Sequence, residues 1–144
     1  MEMETEKLKR YAGVLVKVGN EVLLCKRNNE GELPGVWSIP AGKLNNSESA
    51  AIGARREFFE ETNIDIEGKL ELIGFITRKN RDGSRNKGLM YVFLWEVNEK
   101  VYPDLDNAQD GEEHTECGFF GLENIPVDKN DQLYKLIENI LTKN

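Results

Sequence analysis

The sequence has little of what marks an exported, membrane-bound or metal-thiolate protein. It contains two cysteines and one histidine, and it lacks any apolar run near the roughly 18 residues that a membrane span requires. The charged N-terminal stretch "MEMETEKLKRY" has no apolar region typical of a signal peptide. Cys25 and Cys117 show no spacing typical of zinc or redox motifs, so we expect two reduced core thiols. These absences predict a cytoplasmic protein with no membrane partner.

Positive charge is also scarce, since 19 Lys and Arg face 26 Asp and Glu and give a net charge of -7. This balance excludes general nucleic-acid binding, which needs a basic face. The charge is uneven, with a basic stretch at 78–87 and an acidic one at 104–116. A chain of 144 residues predicts a single domain over 1–144. Its composition is compatible with a homodimer as well as a monomer.

Strand patterns occupy five β-branched and aliphatic runs. Gly19-Asn20 is a two-residue turn signal between the first two runs, and Asp82-Gly83 lies in the basic stretch between the third and fourth, so each pair predicts a hairpin. The runs cover residues 11–18, 21–27, 69–78, 88–97 and 117–122.

Helical periodicity appears twice. From about residue 47 an apolar stripe recurs at helical spacing and ends near Thr62, with Ser47 or Asn46 as the N-cap. A second stripe, of Leu and Ile, follows Asn130 or Asp131, either of which can cap it. The order strands, helix, strands, helix lacks regular βαβ alternation. It favours an α+β fold with a layered, mixed sheet.

The end of the first predicted helix, "REFFEETN", is crowded with acids. Glu57, Glu60 and Glu61 stand at i, i+3 and i+4 and therefore share one face, beside the apolar stripe. A helix C-terminus disfavours negative charge, and a site at the edge of the core screens like charges poorly. Three converging carboxylates suit magnesium or manganese. The alternative is a solvated acidic face.

The residues around these acids resemble the signature of the Nudix hydrolase family. "WSIPAGK" resembles the usual approach to that signature, and the resemblance extends over nearly the whole chain. It implies an α/β/α sandwich with a mixed sheet between helices. Two positions depart from the family pattern: Ala41 stands where the family often has glycine, and Asn63 replaces the glycine that ends the helix. The matching residues are Gly42, Glu48, Arg56-Glu57, Phe58, Glu60-Glu61 and Ile64.

The resemblance implies a metal-dependent enzyme. Its reaction would be hydrolysis of a nucleoside diphosphate linked to another moiety, by attack of water on a phosphorus. By similarity, Glu57, Glu60 and Glu61, with the carbonyl of Ala41, would hold one or more Mg²⁺ or Mn²⁺ ions. Arg56 would orient a neighbouring carboxylate. Gly42, Glu48 and Asn63 would support this arrangement.

The general base has two candidates, Glu61 and Glu113. Glu113 lies in the acidic stretch shortly before the last predicted strand, where the family often has a glutamate, and it could also join the metal ligands. We prefer it to Glu112 and Glu116. His114 is interpreted as incidental, because a lone histidine in a polar loop often is.

Substrate contacts are expected outside the signature. Arg27 resembles a basic family position near the phosphates, Trp37 could stack a base, and Arg78 begins a basic hairpin tip that could reach phosphates. The expected substrate is a nucleoside triphosphate, deoxy or ribo, or a nucleotide sugar such as ADP-ribose. Alternatives are an RNA 5′ end, a dinucleoside polyphosphate, or a Nudix-like module that binds a nucleotide without hydrolysis. An isoprenoid diphosphate isomerase is disfavoured, since Cys25 in a strand run matches poorly.

Overall fold

The computed structural model describes residues 9–28, 35–79 and 86–143, and the side chains of residues 78, 79, 86 and 87 lie outside that description. Strands and helices alternate irregularly along the chain, as the sequence predicts. They are β1 Lys9–Val18, β2 Glu21–Arg27, β3 Trp37–Ser38, β4 Ala41–Lys43, α1 Ala50–Thr62, β5 Glu71–Lys79, β6 Asn86–Glu96, β7 His114–Phe120 and α2 Gln132–Thr142, with a 3-10 turn at Gly111–Glu113 before β7.

The sheet is mixed, with the order β3-β2-β1-β6-β5. The central pair β1 and β6 is parallel, whereas β1 with β2 and β5 with β6 are antiparallel. Two further strands attach to this path: β4 pairs with β1, and β7 pairs with β2. The expected hairpin of β5 and β6 is therefore confirmed, while its connecting segment with Asp82-Gly83 lies outside the described residues.

Both faces of β1 are buried. Successive side chains of a strand point to opposite faces, and each face of β1 contributes to its own core cluster. Ala12, Val14 and Val16 pack in one core cluster with Ala54 and Phe58 of α1. The other face packs against α2, in a second cluster that includes Tyr11, Leu15, Leu133 and Ile137. A sheet covered by a helix on each face confirms the predicted α+β sandwich.

The observed N-cap differs from the expected one in α1 and is one of the two expected residues in α2. The N-cap of α1 is Ser49, whose hydroxyl accepts from the Ile52 N–H at 3.3 Å, so the expected cap at Ser47 or Asn46 is wrong. Asn63 ends α1 in the left-handed conformation with φ 62°, as predicted for a residue in the place of glycine. Asp131, rather than Asn130, caps α2.

Two strand expectations also need correction. β7 begins at His114, three residues before the predicted start at residue 117. β4 was not predicted, because three residues are too few to show an alternating pattern. Within the described ranges, no helix combines the length and apolar character of a membrane span.

The cysteines are paired, so the expectation of two reduced thiols is wrong. Cys25 on β2 stands directly opposite Cys117 on β7, and the two form a disulfide. Their separation of 92 positions in the sequence hides this proximity, which arises only from the antiparallel register of the two strands.

Candidate active site

Arg56 ties the loop before α1 to the helix. Its Nε and Nη2 donate to the two carboxylate oxygens of Glu48 at 2.7 and 2.9 Å, and Nη2 also donates to the Lys43 carbonyl at 3.2 Å. This charge-assisted pair, above all the Arg56 hydrogen bond, lowers the pKa of Glu48 to about 2. Glu48 additionally accepts from the Asn45 N–H at 3.1 Å. Glu48 therefore fixes the loop.

The third nitrogen of the same guanidinium contacts the acids of α1. Nη1 of Arg56 lies 2.9 Å from Oε1 of Glu57 and 3.2 Å from Oε2 of Glu60. Side-chain exposure is 14% for Glu57 and 20% for Glu60, so both carboxylates lie at the edge of the core, as their place on the helix predicts. Burial raises the pKa of Glu57, whereas Arg56 opposes that rise.

Two glycines leave room for these side chains. A Cβ on Gly42 would overlap the carboxylate of Glu57, so this position of β4 accommodates a site residue. A Cβ on Gly53 would overlap the side chain of Leu44, with Glu48 next to it. The glycine inside α1 is thus explained by packing of the preceding loop.

Glu61 is almost fully enclosed, with 1% exposure. Its Oε1 lies 2.7 Å from Nε2 of His114, and its buried Oε2 has no hydrogen-bond partner among the described residues. Burial, reinforced by the charges of Glu113 and Glu57, raises the pKa of Glu61 to about 10. The positive charge of Arg27 and the backbone N–H of Ala41 oppose this rise.

His114 belongs to the site, so its interpretation as incidental is wrong. It is buried with 4% exposure at the first position of β7. Burial and the nearby charge of Arg27 lower its pKa to about 4. Only its position between an acidic stretch and a strand could have signalled this from the sequence.

The acidic stretch packs on the end of α1. The N–H groups of Asp104 and Asp110 donate to the carbonyls of Thr62 and Glu60 at 2.8 and 2.7 Å. Gly111 lies so close to the Leu105 backbone that a Cβ would overlap it. These contacts hold the acidic stretch against the end of α1, and the 3-10 turn follows directly after Asp110.

That turn brings Glu113 to the acids of α1. The Asn28 backbone N–H donates to the Glu113 carbonyl at 2.9 Å, and the Asn28 side-chain amide donates to the Glu112 carbonyl. Burial raises the pKa of Glu113, and its charge in turn raises the pKa of Glu57 and Glu61. Four carboxylates thus gather from one helix and one turn.

Of the three residues expected to contact substrate, Arg27 lies near the acids, Trp37 packs on another aromatic ring, and the third is Arg78. Arg27 ends β2 opposite His114, and its charge acts on Glu61 and Glu113. Trp37 is partly buried and packs edge-on against Phe120, with ring centroids 5.1 Å apart. The side chain of Arg78 lies outside the described residues.

The donor set fits a hard divalent cation, although its side chains are not arranged as a finished cage. No group of three potential ligands in the described ranges already has coordinating geometry, and Glu57 and Glu60 are held by Arg56. The clustered carboxylates are nevertheless the oxygen donors that such a cation prefers, as is Oε2 of Glu61, which has no hydrogen-bond partner in the described part of the chain. Ala41 has no positive φ, so alanine causes no strain there.

Known proteins resemble this chain in sequence and in fold. The family model described as NUDIX domain matches residues 7–140. An 8-oxo-dGTP diphosphatase from Proteus vulgaris is 34% identical over 64 residues, which are 44% of this chain and 57% of the relative, so the match spans just over half of that protein.

Solved structures agree with the fold. A MutT NUDIX hydrolase from Burkholderia pseudomallei has a TM-score of 0.75 and 20% identity over 94% of this chain and 99% of its own. A bifunctional NMN adenylyltransferase/ADP ribose pyrophosphatase from Francisella tularensis, complexed with AMP and a Mn ion, has a TM-score of 0.68 and 23% identity. That match covers 96% of this chain and 42% of the Francisella protein.

Proposed function

This chain belongs to the Nudix family, and from that premise we propose that it is a divalent-cation-dependent pyrophosphohydrolase. Its reaction is hydrolysis of a nucleoside diphosphate linked to another moiety. The observation that carries the proposal is the buried Glu61 carboxyl, whose Oε2 has no hydrogen-bond partner in the described part of the chain while Glu57 and Glu113 crowd around it. In its ionised form such a cluster is costly unless a cation neutralises it.

The cation ligands proposed are the Ala41 carbonyl and the carboxylates of Glu57, Glu60, Glu61 and Glu113. These residues would hold Mg²⁺ or Mn²⁺, which would supply charge neutralisation for the phosphates and lower the pKa of a bound water. Arg56 holds Glu57 and Glu60 together on one side of α1. Gly42, Glu48 and Asn63 support the elements that carry these groups.

Glu113 is the proposed general base. Glu61 has one oxygen on His114 and offers only the other, which the cation would use. Glu113 is partly buried on the turn before β7. Its pKa is raised toward neutral pH, where a general base works best. It would accept a proton from the water that attacks phosphorus.

The proposed substrate is a nucleoside triphosphate, with a nucleotide sugar such as ADP-ribose as the second candidate. The first follows the Proteus relative, which is named for 8-oxo-dGTP, and the second follows the Francisella structure, which is named for ADP ribose. Arg27 would contact a phosphate, because guanidinium groups pair strongly with phosphate oxygens. Trp37, which is partly buried, would contact the base.

A substrate panel tests this proposal. The protein is incubated with dGTP, 8-oxo-dGTP, ADP-ribose, a dinucleoside polyphosphate and 5′-triphosphorylated RNA, with and without Mg²⁺. We expect magnesium-dependent turnover of at least one nucleotide and a loss of at least about 10-fold in Glu60→Gln, because loss of a group that only orients a metal ligand already costs about 10- to 100-fold. Glu138→Gln, an exposed glutamate on α2, is the matched control.

The outcomes separate the alternatives. Absence of turnover with every substrate contradicts the enzyme assignment, and tight nucleotide binding without turnover identifies a sensor module. Equal turnover by Glu60→Gln and wild type contradicts the metal assignment.

A further inference from the structure

His114 joins two elements of the site that are distant in sequence. It starts β7, opposite Arg27 of β2, and its Nε2 reaches Oε1 of Glu61 on α1 at 2.7 Å. The His114 side chain is 0% exposed and the Glu61 side chain 1%. An enclosed ring does not contact a substrate, and its hydrogen bond to Glu61 links it to the acids of α1.

The bond divides the two oxygens of Glu61. Oε1 lies on His114, whereas Oε2 is buried without a hydrogen-bond partner in the described residues. Nδ1 of His114 also has none. A proton on Nδ1 would be a buried donor without an acceptor, which proteins rarely tolerate. A proton on Nε2 instead serves the bond, and with a cation bound the ionised carboxylate of Glu61 can only accept it.

We propose that His114 is a positioning residue, which holds Oε1 of Glu61 by an Nε2–H hydrogen bond and thereby presents Oε2 to the divalent cation. This inference rests on the proposed function for the cation. Partners of metal-binding carboxylates commonly fix the orientation of the ligand, and their loss weakens metal binding about 10- to 100-fold. His114 gives Glu61 such a partner from a separate strand.

Three substitutions distinguish positioning from packing. Gln places its amide nitrogen as many bonds from Cβ as Nε2 of histidine, so His114→Gln keeps a donor at the right reach. Asn places its amide nitrogen one bond nearer, where Nδ1 stands, so His114→Asn keeps the chemistry at the wrong reach. His114→Leu removes the donor and keeps an apolar side chain.

The experiment measures Mn²⁺ binding by electron paramagnetic resonance, together with urea unfolding, kcat and KM, for wild type and the three variants. We expect His114→Leu and His114→Asn to bind Mn²⁺ about 10- to 100-fold more weakly. Their kcat should fall more than their KM changes. His114→Gln should restore most of the affinity, whatever its unfolding free energy.

Two results would overturn the inference: wild-type Mn²⁺ affinity in His114→Leu, or equal weakening in Gln and Asn variants. If His114→Leu does not fold, the comparison of Gln with Asn decides. Mn²⁺ binding by wild type without turnover of any substrate would defeat the proposed activity alone, since the rank order of Mn²⁺ affinities still tests His114.

Discussion

Arg56 shows how one residue sets the charge distribution of the site. Its guanidinium binds Glu48, Glu57 and Glu60 with three different nitrogens, and these partners raise its pKa further above its usual range. A planar guanidinium presents five donors in fixed directions, which an ammonium group cannot imitate. The fork geometry lets this one side chain bind Glu48 with two nitrogens and both Glu57 and Glu60 with the third.

The first prediction concerns Arg56→Lys. Lysine keeps the charge but cannot hold all three carboxylates, so we expect kcat to fall at least about tenfold. The unfolding free energy should fall by about 1–3 kcal/mol, the size of lost charge-assisted hydrogen bonds. Arg55→Lys is the matched control, because Arg55 binds the carbonyls of Ile66 and Gly68 instead. Urea unfolding and nucleotide hydrolysis measure both effects.

Arg55→Lys should lose stability while it keeps activity. Equal loss of activity in both variants would show that Arg56 acts only through the fold.

At the scale of elements, the contact between α1 and the acidic stretch explains acids at a helix C-terminus. Carbonyls at that end are normally unsatisfied and disfavour negative charge. Here the N–H groups of Asp104 and Asp110 bind two of them, and Asn63 binds the carbonyl of Phe59 at 2.8 Å. The same contacts deliver Glu113, so one interface both ends the helix and completes the acid cluster.

The second prediction concerns the contact between β4 and α1. Gly42→Ala places a methyl group in the volume of the Glu57 carboxylate. A flexible side chain can move away, so we expect a small change in unfolding free energy but a fall in kcat of at least about tenfold, the lower end of what loss of a group that orients a metal ligand costs. Hydrolysis and urea unfolding are the measurements.

Gly19→Ala is the opposite control. Gly19 has φ 59° and open space around it, so alanine should cost about 1 kcal/mol of stability and leave activity unchanged. Wild-type kcat in Gly42→Ala would contradict the role of this contact.

Elements with local signals were predictable from the sequence, whereas contacts set by strand register were not. Periodicity located α1, and Asn63 ends it because asparagine tolerates a positive φ. The pairing of β2 with β7 carries no local signal, yet it decides the Cys25–Cys117 disulfide and the burial of His114. The spacing of the acids predicted their shared face, but not that Arg56 contacts Glu57 and Glu60 of that face together with Glu48 of the preceding loop.

At the scale of the whole molecule, the site couples folding to pH. The ordinary glutamate pKa is 4.5, and that of folded Glu61 is about 10, so between these values the folded state binds more protons than the unfolded state. Stability therefore falls as pH rises through this window. His114 has the opposite effect, because its pKa falls from 6.5 to about 4 and the unfolded state binds its proton between those values.

Between pH 4.5 and 6.5, the effects of Glu61 and His114 on the pH dependence of stability offset each other. Above pH 6.5 His114 is neutral in both the folded and the unfolded state. Of the two groups, only Glu61 then makes stability depend on pH. The raised pKa values of Glu57 and Glu113 add to the decline above pH 4.5 over windows of their own. Burial of these carboxyls therefore makes the cation-free protein lose stability as the pH rises.

The third prediction follows from this sign. In EDTA, the unfolding free energy should decrease between about pH 6.5 and 9, by at most about 1.4 kcal/mol per pH unit for one proton. Glu61→Gln should flatten that slope, whereas Glu138→Gln should leave it unchanged. Saturating Mg²⁺ should also reduce it, because a cation that binds only the folded state favours ionised Glu61. Urea unfolding across this range decides, and a slope as steep in Glu61→Gln as in wild type would show that Glu61 is already ionised in the cation-free fold.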